Sequence, residues 1–330
     1  MVQNNGEYNM GQIQVINGKA FEYACINSLY IYLSPDQDVN IENTPQLDTA
    51  YQAFLATSES MRNKLIRAAN AATRVIKQLE PQLEYPNKNK PLYLSIQADA
   101  QGRIGDVRDI LCIRKQNEWE IGLSCKHNHR AVKHSRLSAT IDFGTEWFDI
   151  PCSKEYFSDI TPLFDELRNT RDNSGGTAKW SDIENKNEKF YVPVLRAFIN
   201  ELKRLDNANT LAIPEKLIRY LVGKNDFYKV ITEDARKITR IEAINISGTL
   251  NRPSEGKQSI VNVTKLKLPT RFHNIDFKPN SETTIEVVCD EGWTVSMRIH
   301  NASSRVEPSL KFDVNLISLP NTIHKQVEPW

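Results

Sequence analysis

Residues 104–127, IGDVRDILCIRKQNEWEIGLSCKH, read as two extended runs, 104–115 and 119–127, joined by the polar turn Gln116-Asn117-Glu118. With the turn centred near Gln116–Asn117, residues face each other when their numbers sum to about 233. Asp109 then lies opposite Ser124, and Asp106 opposite His127. Lys126 is two positions beyond Ser124, so both point to one face of the strand. The unbroken apolar runs Ile110–Ile113 and Ile121–Leu123 belong to a sheet covered on both sides. An aspartate and a lysine therefore converge at one end of an apolar hairpin. Burying both charges is costly unless they pair or serve a purpose.

Outward from the hairpin, the N-terminal side reads as helical and then extended. A helix is expected from about Gly18 to Leu33, capped by Asn17, with Phe21, Cys25 and Leu29 on one stripe. A second is expected from about Thr49 to Leu79, ended by Pro81. Residues 91–99 add a strand before the hairpin, and a helix is expected over about 130–143. Lys154 to about Lys237 reads as mostly helical, with Gly223 as a C-cap. After about Ile244 the runs SIVNVTKLKL, TTIEVVCD, WTVSMRIH and SLKFDVNLISL signal strands. The expected fold class is α/β, a central mixed sheet flanked by helices, with a helical insertion and a C-terminal β-rich subdomain. The expected division is 1–245 and 246–330.

The chain has 330 residues, 40% hydrophobic and 25% charged, with a formal net charge of +1. This is the composition of an ordinary globular protein. No run of apolar residues is long enough to span a membrane, and the polar N-terminus does not read as a signal peptide. Five scattered cysteines without a CxxC pair read as reduced thiols of a cytoplasmic protein, not as a disulfide framework or a zinc site. Cys125, His127 and His129 alternate and could share a face with a metal, but no further ligand is evident.

A near-neutral chain that binds nucleic acid must gather its cations on one face. Between Glu120 and Asp142 there is no acidic residue, and KHNHRAVKHSR (126–136) carries Lys126, Arg130, Lys133 and Arg136 with His127, His129 and His134. Such a run fits phosphate contact. In SMRIHNASSRVEPSLKFDV (296–314), Arg298 and Arg305 can bridge guanine, Asn301 can pair with adenine, and Ser303 and Ser304 can serve either base. His300 and Lys311 stand in the same stretch. On composition alone it is equally an ordinary hairpin turn.

The carboxylate–lysine hairpin resembles the PD-(D/E)xK nuclease core, which sets one acid on a strand and an acid-x-lysine on the next. The resemblance implies that the acids hold Mg²⁺ and that the lysine stands by the attacking water or the scissile phosphate. Mg²⁺ takes hard oxygen ligands and needs only one or two carboxylates beside water and phosphate. Here Ser124 occupies the second acid position. Some restriction enzymes of this class also carry serine there and use an acid from the following helix. Asp142 is the expected substitute and Glu146 the fallback. Glu120 faces the right way, but it lies roughly 20 Å along the strand from Lys126. Gly18-Lys19-Ala20-Phe21-Glu22 resembles the N-terminal helix of these nucleases, whose glutamate packs beside the site. A solvated helix glutamate is the plain alternative. Asp109 is preferred over Asp106 as the metal-binding aspartate.

The segments 18–24, 105–157 and 296–314 together resemble the HaeIII-type restriction endonucleases. The resemblance implies a homodimer that cuts double-stranded DNA with Mg²⁺ at a short palindrome, GGCC for the type member. Asp109, Asp142 and Glu22 would hold the metal, Lys126 would serve the chemistry, and Asp106 stands in reserve. His129, Arg130, Lys133, His134 and Arg136 would contact the backbone. Arg298, His300, Asn301, Ser303, Ser304, Arg305 and Lys311 would address the target. A repair or junction nuclease of the same core, or a DNA-binding protein without catalysis, are the alternatives.

Overall fold

A computed structural model describes residues 10–84, 90–98, 105–128, 133–208 and 213–330. The chain forms two compact units. The first comprises residues 1–130, 223–266 and 322–330, and the second 131–222 and 267–321. The chain crosses between them four times, so the single boundary expected near residue 245 does not describe it. Among the described residues no helix is long and apolar enough to cross a membrane.

The first unit holds α1 (Met10–Leu33), α2 (Pro45–Ala56) and α3 (Glu59–Leu79). Its strands are β1 (Val39–Ile41), β2 (Leu92–Ile96), β3 (Ile110–Arg114), β4 (Trp119–His127), β6 (Phe227–Glu233), β7 (Ile238–Ile244) and β12 (Lys325–Pro329). They form one mixed sheet in the order β1-β2-β3-β4-β6-β7-β12. β1 is parallel to β2 and β4 to β6; the other neighbours are antiparallel. The β3–β4 register runs from Ile110↔Leu123 to Arg114↔Trp119, which is the pairing expected from the turn. Ala20, Phe21, Ala24, Cys25 and Leu29 of α1 and Leu65, Ala69, Ala72, Val75 and Ile76 of α3 share one buried core with Ile121, Leu123 and Cys125 of β4.

The helix expected over 49–79 is two helices. Thr57 and Ser58 are both extended, and the Ser58 hydroxyl accepts from Met61 N at 3.2 Å, so a new N-cap interrupts the run. α1 runs through Asn17 from Met10, so that asparagine is no cap. The helical reading up to Lys237 fails at β6, where the run Phe-Tyr-Lys-Val-Ile-Thr is buried and lies parallel to β4. A short buried apolar run fits helix or strand equally, and β-branched residues decide for strand. Gly223, with φ of +89°, does end the preceding helix.

In the second unit α4 (Phe143–Phe148), α5 (Lys154–Asn173), α6 (Val192–Ala208) and α7 (Ile213–Val222) accompany an antiparallel sheet. Its strands are β5 (Lys133–Leu137), β8 (Phe272–Phe277), β9 (Thr284–Cys289), β10 (Thr294–Asn301) and β11 (Leu310–Ser318), in the order β5-β11-β10-β9-β8. Where a helix is expected over 130–143, residues 133–137 form the edge strand β5. Ser135 and Leu137 are buried and Arg136 between them is exposed, a period of two that the basic composition masks. Residues 259–268, expected extended, join no ladder. Asn245 and Asn251 hold that backbone instead, Asn245 Nδ2 donating to Val263 O at 3.1 Å and Val263 N to Asn251 Oδ1 at 3.2 Å.

Candidate active site

Asp109 stands one residue before β3, and its N–H donates to Leu123 O at 2.7 Å. This bond carries the β3–β4 pairing one step further and turns the Asp109 side chain toward β4. Three consecutive residues of β4 then meet a single carboxylate oxygen. Asp109 Oδ2 accepts from Cys125 N at 2.7 Å, from Lys126 Nζ at 3.2 Å and from the Ser124 hydroxyl at 3.4 Å. Among the described residues no hydrogen bond reaches Oδ1. The Lys126 and Asp109 side chains are each about a quarter exposed, so the pair opens to solvent. Burial favours the neutral amine of Lys126, but the Asp109 charge outweighs it and holds the lysine above its usual pKa.

Glu22 completes the cluster from α1, which packs on β4. Its side chain is only 9% exposed and takes a 3.1 Å ion pair from Lys19, one turn before it. Burial, and then the neighbouring Asp109 charge, push its carboxyl up to about 7, while Lys19 and Lys126 pull the other way. The plain alternative of a solvated glutamate is thus excluded by burial. Two carboxylates that repel each other in a partly closed site match a cation with hard oxygen preferences. Among the described residues no group of three or more His, Cys, Asp or Glu is placed to hold a metal. Any metal here would rest on these two acids, with water and substrate filling the remainder.

The reserve aspartate lies elsewhere in the hairpin. Asp106 makes a forked pair with Arg108, Nε to Oδ1 and Nη2 to Oδ2 both at 2.7 Å. Arg108 Nη1 also donates to Glu120 at 2.6 Å, so Asp106 and Glu120 share one buried guanidinium. Gly122 makes room for it, since a Cβ there would stand 2.1 Å from Arg108 Cδ. Asp106 does not face His127, whose Nε2 pairs instead with Asp234 at 3.1 Å.

Asp142 has its own local partners. It belongs to the second unit and is the N-cap of α4, not the end of a helix over 130–143. Oδ1 accepts from Thr145 N and Cys152 N, both at 3.0 Å, and Oδ2 from the Thr145 hydroxyl at 3.0 Å. Those bonds hold the carboxyl below its usual pKa against the effect of burial. Glu146 follows in the first turn of the same helix.

Of the expected DNA contacts, His129 and Arg130 lie outside the described residues. Lys133 and His134 pair along β5 with Val314 and Asp313. Arg136 Nη1 donates to Ser309 at 3.0 Å and to Glu307 at 3.3 Å. From Met297 along β10 and from Leu310 to Val314 along β11 buried and outward-facing residues alternate. Met297, Ile299, Phe312 and Val314 are buried, while Arg298, His300 and Lys311 stand on the opposite face. Arg298 is 60% exposed and its Nη2 donates to Asp313 at 2.7 Å. The sequence reading leaves Asp313 out, although its spacing from Lys311 places it on the same face. Asn301 and Ser303 serve the turn itself: Asn301 Nδ2 donates to Ser303 O, and the Ser303 hydroxyl accepts from Arg305 N at 3.2 Å. Ser304 O accepts from Trp180 N at 2.9 Å, and Arg305 Nη1 donates to Gly176 O at 3.4 Å.

The family model of the HaeIII restriction endonuclease matches residues 18–320. The Type II restriction enzyme HaeIII of Haemophilus aegyptius is 43% identical over 315 residues, which cover 95% of this chain and 97% of that protein. No solved structure matches. The match spans both units, from the α1 glutamate through the carboxylate–lysine hairpin to the polar face of the second sheet, and the chain belongs to the HaeIII restriction endonuclease family.

Proposed function

We propose that the Asp109–Lys126–Glu22 cluster is the phosphodiester-cleaving centre of a type II restriction endonuclease of the PD-(D/E)xK kind. The observation that carries this reading is the convergence of Ser124, Cys125 and Lys126 on one oxygen of Asp109. The arrangement fixes the carboxylate, leaves its second oxygen without a hydrogen bond from any described residue, and holds an ammonium beside it at a partly open surface.

Asp109 and Glu22 would hold Mg²⁺, which when bound acidifies water and neutralises charge that builds on the phosphate. Lys126 supplies a point positive charge for the scissile phosphate, and its pairing with Asp109 keeps it protonated for that role. The Cys125 N–H and the Ser124 hydroxyl orient the Asp109 carboxylate, and Lys19 does the same for Glu22. Ser124 thus leaves the second acid position to Glu22, on the preceding helix and not the following one. Asp106 and Asp142 are not proposed as ligands, because each carboxylate is spent on its own local partners.

The substrate is double-stranded DNA carrying a short palindrome, and GGCC is the target proposed by analogy with the relative. A two-fold target implies two copies of the chain in symmetric contact with it. Lys133, His134 and Arg136 would position the backbone, with His129 and Arg130 beside them in sequence, and Arg298, His300 and Lys311 would address the bases. The test is digestion of DNA of known sequence with Mg²⁺, followed by mapping of the ends. One short recurrent site supports the reading. Sequence-independent or structure-selective cuts would favour a repair or junction nuclease. Binding without cleavage would favour a DNA-binding protein with a degenerate core.

A further inference from the structure

The exposed face of β5–β11–β10 is cationic with one carboxylate near its middle. Arg136, Lys311 and His300 form one row across the strands, and Asp313 and Arg298 stand in the next. Asp313 Oδ2 accepts from Arg298 Nη2 at 2.7 Å. His300 Nε2 lies 3.2 Å from Asp313 Oδ1, within ion-pair distance although misaligned for a hydrogen bond. His300 is held from its other side, with Nδ1 2.7 Å from Asn301 O.

Three physical facts bear on this arrangement. An exposed ion pair contributes about 0–1 kcal/mol to folding, so stability does not account for it. Phosphate contact calls for donors, cations above all, and a carboxylate amid them weakens it, whereas base edges present both donors and acceptors. A free arginine carries about 2 kcal/mol of rotamer entropy, which a fixed guanidinium has already lost before binding. Among the described residues no second partner takes the remaining N–H groups of Arg298, so one edge of the fork stays open while Asp313 holds the other.

We infer that Asp313 is a specificity-determining positioning residue: it holds Arg298, with His300 beside it, so that the open guanidinium edge reads a base edge, guanine being the base with two acceptors in reach. This rests on the reading of Arg298 as a target-contacting residue. The test compares wild type with Asp313→Ala, Asp313→Asn and Arg298→Ala. Each is given duplex oligonucleotides carrying the mapped cleavage site and every single base-pair change of it, and kcat and KM are measured separately.

The expected result is that Asp313→Ala loses roughly 10- to 100-fold in kcat/KM on the true site. Its preference for the true site over the base pair read by Arg298 collapses, and preferences at the other positions persist. Asp313→Asn, which keeps an acceptor oxygen, recovers part of that preference, and it also answers the question should the alanine variant fold poorly. A change in stability alone would lower activity on all duplexes together and leave the preferences as they were. Undiminished preference in both Asp313 variants, with Arg298→Ala impaired, overturns the positioning role alone. Wild-type behaviour of Arg298→Ala overturns the reading beneath it as well.

Discussion

Two buried glutamates of the first unit, Glu22 and Glu80, have the same shift and different surroundings. Both carboxyls are pushed up to about 7, chiefly by burial. Glu80 is fully enclosed at the C-cap of α3, where Oε1 accepts from Tyr228 Oη and Asn251 N, both at 2.6 Å. Its partners are neutral and tie three segments of the unit together. Glu22 pairs with Lys19 and feels the charges of Asp109 and Lys126, which form a solvent-open ion pair. Burial alone therefore does not mark a functional acid. The second acid, the lysine and the opening set the proposed centre apart from a structural anchor.

The contrast yields its largest effects at the open cluster. Lys126→Ala and Asp109→Ala should each reduce cleavage by at least roughly 10²–10³-fold, while specific DNA binding persists in a gel-shift assay. Glu22→Gln should lower cleavage by about 10- to 100-fold, the range for perturbing a metal's supporting ligands. Glu80→Gln should leave cleavage near wild type and act on stability. If the two glutamine variants lost cleavage equally, the distinction would fail.

The pH dependence of unfolding sharpens the comparison. Glu80 has a folded pKa raised from 4.5 to about 7, so the folded state binds more protons than the unfolded chain between those values. Its contribution is therefore favourable at low pH and is lost as pH rises toward and past about 7. Glu80→Gln, neutral throughout, should flatten that part of the stability curve, as read by denaturant midpoints from pH 5 to 8.

Two smaller effects test the neighbouring acids. Gly122→Ala should cost about 1–3 kcal/mol by displacing Arg108 from between Asp106 and Glu120, read as a lower denaturation midpoint. Asp142→Ala should cost about 1 kcal/mol through the lost cap of α4, with cleavage by the folded protein unchanged. Loss of cleavage at full stability would restore Asp142 to the centre.

The β3–β4 hairpin was legible because turn position, apolar runs and register all follow from local residues. Asp109 and Ser124 meet as that register requires, and Lys126 joins them by alternation. What stayed hidden depends on distant partners. Residues 133–137 are a strand because β11 lies beside them, and no local propensity announces that. Asp142 follows the lysine in sequence, as a replacement ligand should, but its carboxylate closes the first turn of α4. Asp313 earns its place only through Arg298, fifteen residues away and on the next strand. The interleaving of the two units is likewise a property of long-range packing that composition does not record.

The most direct measurement is single-turnover cleavage of a duplex bearing the mapped site, in saturating Mg²⁺, by wild type, Lys126→Ala and Asp109→Ala. Wild type should cut fast at one position, and either variant should leave the DNA bound and intact. Cutting by both variants at the wild-type rate would place the chemistry elsewhere in the molecule.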